Sequence, residues 1–119
     1  MRPIVLAAIG LIASPAALCA HARLLASTPA ANATIAPTNS IRMHFSEALV
    51  EKLSGADLTM TGMAGTGMNV SAKVRLEPDG KSLALVMAKP LSPGTYKLAF
   101  HVTSTDTHRV TGGFAFRVR

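Results

Sequence analysis

The chain has 119 residues, with 12 lysines and arginines against 6 acidic residues, a formal net charge of +6, one cysteine, one tyrosine and no tryptophan. The basic residues are scattered singly and there is almost no aromatic surface for base stacking. A solvated surface therefore explains the charge better than nucleic-acid binding does.

Residues 1–20 read as an export signal. Arg2 supplies a short positive start, Ile4 to Ile12 an apolar run, and Pro15-Ala16-Ala17-Leu18-Cys19-Ala20 a small-residue exit. This pattern is that of a cleavable secretory signal, and its apolar run is too short to span a bilayer. Cleavage after Ala20 is expected to leave 99 residues, His21 to Arg119, enough for one domain. A cut after Ala22 also satisfies the pattern. The only cysteine, Cys19, leaves with the signal, so the mature chain has neither a disulfide nor a thiolate ligand. The expectation is one periplasmic domain over 21–119, with no membrane insertion after cleavage.

The mature sequence reads as all-β. Ile41-Arg42-Met43-His44-Phe45 alternates apolar and polar, as do Tyr96 to Val102 and Gly113 to Arg119. Asp57 to Thr61, Val70 to Leu76 and Ser82 to Met87 are shorter strand candidates, and Glu47 to Leu53 has the length of a single helical turn. Turn signals fall at Pro29-Ala30-Ala31-Asn32, Ser54-Gly55, Pro78-Asp79-Gly80-Lys81 and Ser92-Pro93-Gly94. Seven short strands at this spacing predict a sandwich or barrel of Greek-key, immunoglobulin-like topology. The expected core is Leu24, Ile41, Met43, Phe45, Leu58, Leu85, Leu98, Phe100, Val102, Phe114, Phe116 and Val118. His44 and His101 fall on the outward faces of their strands, where a histidine is ordinarily just solvated.

Two groups of residues carry chemistry. A mature N-terminal His21 offers its α-amine and its imidazole, which close a six-membered chelate on one ion and spare the ordering of a separate ligand. Asp106-Thr107-His108 adds a carboxylate and a second imidazole, which an extended segment would turn to one side. This mixed nitrogen and oxygen set suits tetragonal Cu(II). The amine must be neutral to ligate, so binding releases protons and weakens in acid. Thr105 and Thr107 are placed to support the ligands with hydroxyls. The second group is Met60, Met63 and Met68, three thioethers in nine residues among small residues and glycines. Soft thioethers favour Cu(I). The competing reading is gap-filling in the core, which suits Met60 on the Leu58 face better than Met63 and Met68.

Taken together, these stretches resemble the CopC family of periplasmic copper-resistance proteins over essentially the whole mature chain. The resemblance rests on His21 with Ser27-Thr28-Pro29-Ala30, on Ile41 to Glu47 with His44-Phe45-Ser46-Glu47, and on Ser54-Gly55-Ala56. It continues through Leu91 to Tyr96, Ser104-Thr105-Asp106-Thr107-His108 and Thr111-Gly112. It implies a seven-stranded, cupredoxin-like Greek-key β-barrel that carries copper without catalysing a reaction and passes it to a copper-transporting inner-membrane or periplasmic partner. The family's Cu(II) ligands fall on His21, Asp106 and His108, and Glu47 matches a glutamate sometimes near that copper. As an alternative, Glu47 hydrogen-bonds or caps a turn at the strand end. Met60, Met63 and Met68 resemble the family's methionine-rich Cu(I) loop, with fewer methionines and no histidine.

Two other readings compete. A histidine-brace-like copper enzyme shares the chelating N-terminus, but this chain lacks the aromatic surface for gripping a polymer, and Asp106 would fill a position that oxygen needs. A metal-free immunoglobulin-like interaction module would melt at a temperature indifferent to Cu(II), whereas binding to the folded state raises it.

Overall fold

A computed structural model describes residues 21–61 and 67–119; the expected export signal, residues 1–20, and Met63 lie outside the described residues. Two sheets face each other. The first runs β1 (Leu24–Thr28), β3 (Ser40–Phe45), β7 (Ser82–Val86) and β6 (Lys73–Leu76), all antiparallel. The second runs β2 (Thr34–Ile35), β9 (Arg109–Val118), β8 (Gly94–Thr103), β4 (Gly55–Thr61) and β5 (Gly67–Val70), antiparallel except for the short β2–β9 pair. The hairpins β4–β5, β6–β7 and β8–β9 are local. The β3–β7 and β4–β8 pairings join strands distant in sequence, as a Greek key requires. This is the all-β sandwich that the alternation predicts.

Period-two alternation explains the core. Ile41, Met43 and Phe45 point inward from β3 and are fully buried, while Arg42 and His44 between them are exposed. Leu58, Leu85, Leu98, Phe100, Val102, Phe116 and Val118 join them, with Phe45 and Phe100 edge-to-face at 5.2 Å. Tyr96, absent from the expected core, lies in it stacked on Phe116, and its hydroxyl donates to the Ser92 carbonyl at 2.6 Å. That bond lets a phenol be buried without an orphaned polar group.

Several expectations need correction. Leu24 and Phe114 pack against the core but stay half-buried. Leu24 sits on an edge strand beside a bulge, and β2 covers β9 only at Arg117 and Val118. Nine strands occur among the described residues rather than seven. The predicted strand from Val70 to Leu76 is two strands in different sheets, separated by Ser71 and Ala72. Val70, Ala72, Val74 and Leu76 all face the core through that change of sheet, so alternation alone cannot show the break. The turn expected within Glu47 to Leu53 is a single 3-10 turn at Glu51–Leu53.

His44 is exposed, as predicted, but it has partners. Its Nδ1 lies 2.8 Å from the hydroxyl of buried Ser82 and 3.6 Å from Asp79 Oδ2. The Asp79 carboxyl is held below the usual carboxylate range, chiefly by the Lys81 backbone N–H and the Ser82 hydroxyl. His101 is half-buried over Gly55, where a Cβ would stand 2.9 Å from its ring. Both contacts account for these histidines as parts of the outer sheet faces.

Candidate metal centre

Hydrogen bonds fix the segment that begins at His21 at one end of the sandwich. Ala22 is buried, at 1% exposure, and sets the side on which its neighbours emerge. The Arg23 N–H donates to Ser46 Oγ at 2.9 Å, and the Ser46 N–H returns a bond to the Arg23 carbonyl at the same distance. Ser46 directly follows β3, so the end of a core strand positions His21 two residues away from the clamp.

The β8–β9 turn meets it there. Val50 N–H donates to the Thr103 carbonyl and Thr105 N–H to the Ala48 carbonyl, docking the turn on the segment after β3. Within the turn, Thr107 N–H donates to the Ser104 carbonyl at 2.8 Å and Ser104 N–H to the His108 carbonyl at 3.0 Å. Thr107 has φ of +74°, unusual for a β-branched residue and imposed by this tight reversal. Asp106 and His108 therefore belong to a turn, not to the extended segment expected. They converge because the turn folds Asp106 back over the residues on either side of it.

This arrangement places the His21 and His108 rings in contact, with centroids 4.6 Å apart and planes at 74°. His108 Nδ1 lies 3.2 Å from Asp106 Oδ2. Asp106 Oδ1 accepts from the Ser104 hydroxyl and from the His108 N–H at 3.3 Å. The Ser104 bond is the main reason that the Asp106 carboxyl titrates below its ordinary value, and the His108 backbone and ring add to it. The carboxylate thus stays ionised as acidity rises into the usual carboxylate range, and proton competition for a metal falls on the nitrogen donors. Of the two His108 ring nitrogens, Nδ1 is the one that faces the Asp106 carboxylate.

Among the described residues, no three His, Cys, Asp or Glu side chains form a metal cluster by themselves. Two pairs share His108 instead: His21 with His108, and Asp106 with His108. In the full-length chain the nitrogen of His21 is an amide joined to Ala20, so the amine donor exists only after cleavage. Glu47 is half-buried beside Ser46, close in sequence to the clamp, but it is not part of either pair. Thr107 directs its hydroxyl to the Asp106 carbonyl rather than to the carboxylate. The supporting hydroxyls are those of Ser46 and Ser104, which sequence reasoning missed because serine in a turn is too common to signal anything.

The thioethers lie elsewhere. Met60 on β4 and Met68 on β5 are cross-strand partners, and Met60 also pairs with Tyr96 near the start of β8. The β8–β9 turn follows the other end of β8. By strand rise, the two groups stand roughly 25–30 Å apart.

The CopC domain model matches residues 24–119. Copper resistance protein C of Xanthomonas campestris pv. juglandis is 47% identical over 103 residues, covering 84% of this chain and 81% of the relative. Copper resistance protein C of Escherichia coli is 42% identical over 104 residues, with 84% and 82% covered. Among solved structures, PcoC, a methionine-rich copper resistance protein from Escherichia coli, superposes with a TM-score of 0.79 at 42% identity, covering 84% of this chain and 100% of that one. With almost the whole domain matched by both sequence and fold, this chain belongs to the CopC family.

Proposed function

We propose that the mature chain is a periplasmic copper carrier or buffer that starts at His21 once residues 1–20 are removed. Its cargo Cu(II) is held by the His21 amine and imidazole, by the His108 imidazole and by the Asp106 carboxylate. The observation that carries this reading is the 4.6 Å contact between two imidazoles from opposite ends of the mature sequence. Bonds from Ser46 and Ser104 hold both partners before any metal arrives, which lowers the ordering cost of binding. Membership of the CopC family, with relatives named copper resistance protein C, supports the choice of metal.

The site is exposed: the His108 and Asp106 side chains are 50% and 40% accessible. An open site lets a partner's ligands displace these one at a time, which suits transfer to an inner-membrane or periplasmic acceptor. The only tyrosine, Tyr96, is buried, so it is not available as a gripping surface of the kind a polysaccharide-cleaving enzyme needs. Met60, Met63 and Met68 form the second part of the proposal, a soft site for Cu(I).

The test is a Cu(II) competition titration of the processed protein. His108→Ala lowers Cu(II) affinity by at least about tenfold, equivalent to roughly 1.4 kcal/mol, and leaves Cu(I) affinity unchanged. Unchanged Cu(II) affinity in that variant refutes the assignment.

A further inference from the structure

A cavity of about 300 Å³ opens at the end of the sandwich away from the two imidazoles, and three methionines line it: Met60, Met68 and Met87. Met87 lies outside the methionine-rich loop. It follows β7 in the other sheet, its N–H held by the Asn39 carbonyl at 2.9 Å. We propose that Met87 is a thioether ligand of the soft-metal site, which Met60 and Met68 supply from the β4–β5 hairpin and Met87 from the facing sheet. This rests on the reading of Met60 and Met68 as Cu(I) ligands and changes the membership of that site.

Five observations support the assignment. Met60 and Met68 are directly paired across β4 and β5, so their side chains share one face within reach of a single ion. Met68 is 69% exposed, so gap-filling in the core does not explain it. Gly94, with φ of +153°, leaves room for the Met60 side chain: a Cβ there would stand 2.6 Å from Met60 Cε. That glycine seats Met60 at the far end of the connection that Met87 begins, and the cavity lies between them. Finally, the lining contains no Asp, Glu or His, and it includes Lys89. A hard divalent ion would find no carboxylate there and would meet a positive charge. A monovalent soft ion on thioethers loses least, and such ligands select Cu(I). Met87 itself is 3% exposed, which preorganises its position.

The mature chain has five methionines, at 43, 60, 63, 68 and 87. Met43 is fully buried in the core and serves as an internal control. The experiment titrates Ag(I), a closed-shell soft ion, into processed protein carrying ¹³C-methyl methionine, with resonances assigned by single substitution. The expected result is that Met60, Met68 and Met87 shift together to one saturation point while Met43 stays in place. Met87→Leu, nearly isosteric, lowers Cu(I) affinity by at least about tenfold against a chromophoric Cu(I) chelator; its Cu(II) affinity and melting temperature stay close to those of the parent. If Met60 and Met68 shift but Met87 does not, the inference fails and the thioether reading stands. If none of the three moves, both fail. Unchanged Cu(I) affinity in a folded Met87→Leu protein also overturns the inference. Should that variant not fold, the methyl shifts of the labelled parent protein still decide between these outcomes.

Discussion

Selective acetylation of the His21 α-amine lowers the Cu(II) affinity of the processed protein by at least about a hundredfold, near 2.7 kcal/mol, though every native side chain remains. Acetylation turns the terminal amine into an amide with no free amine beside it to anchor its deprotonation, so it is not a donor at neutral pH. The chelate ring of amine and imidazole is lost, and the His21 imidazole binds as a single ligand whose ordering is no longer shared. The His21–His108 contact does not depend on the amine, because Ala22 and the Arg23–Ser46 bonds hold the terminus in place. Stability should therefore be preserved while affinity falls. A competition titration with a Cu(II) chelator at pH 7.5 measures this, and affinity within threefold of the parent would show that the amine is not a ligand. Any affinity that survives should still fall in acid, because the Asp106 carboxyl is already held below its ordinary range and the protons compete at nitrogen.

The second large effect is on stability. Phe45→Ala removes a fully buried ring that meets Phe100 edge-to-face at 5.2 Å and links the two sheets. Truncations of this kind cost about 3–5 kcal/mol, a large share of the ~5–15 kcal/mol that holds a domain together. For a domain of this size each kcal/mol moves the midpoint by about 4–8 °C, so the melting temperature should fall by more than ~12 °C. Thermal unfolding followed by far-ultraviolet circular dichroism checks it; a fall of less than ~5 °C would mean the core is not organised around this pair. Phe45 also precedes Ser46, whose hydroxyl and N–H hold Arg23. Loss of the ring should therefore loosen the end that carries His21 and His108 before the end that carries Met60 and Met68.

The sequence was most readable where one physical rule acts alone. Alternation along Ile41–Phe45 and Tyr96–Val102 separated buried from exposed positions, because a strand with one face on a core leaves no other choice. It could not show that Val70 and Val74 lie in different sheets, since a strand that changes sheet at the edge keeps its apolar side inward. Tyr96 was missed as a core residue because its burial depends on a hydrogen-bond partner four residues away, Ser92. At the candidate metal centre the residue types were legible, and their meeting was not. The His21–His108 contact depends on Ser46 and Ser104, common residues whose role appears only when β3 and the β8–β9 turn are seen side by side. Met87 was hidden for a similar reason. Its spacing from Met68 in the sequence gives no hint that the facing sheet brings both to one cavity.

The most direct test is pulsed electron paramagnetic resonance on processed protein loaded with one equivalent of Cu(II), after intact mass has confirmed that it begins at His21. Remote-nitrogen modulation from two equatorial imidazoles, one lost in His108→Ala, is the predicted result. Modulation from a single imidazole in the parent protein, with no change in His108→Ala, would contradict it.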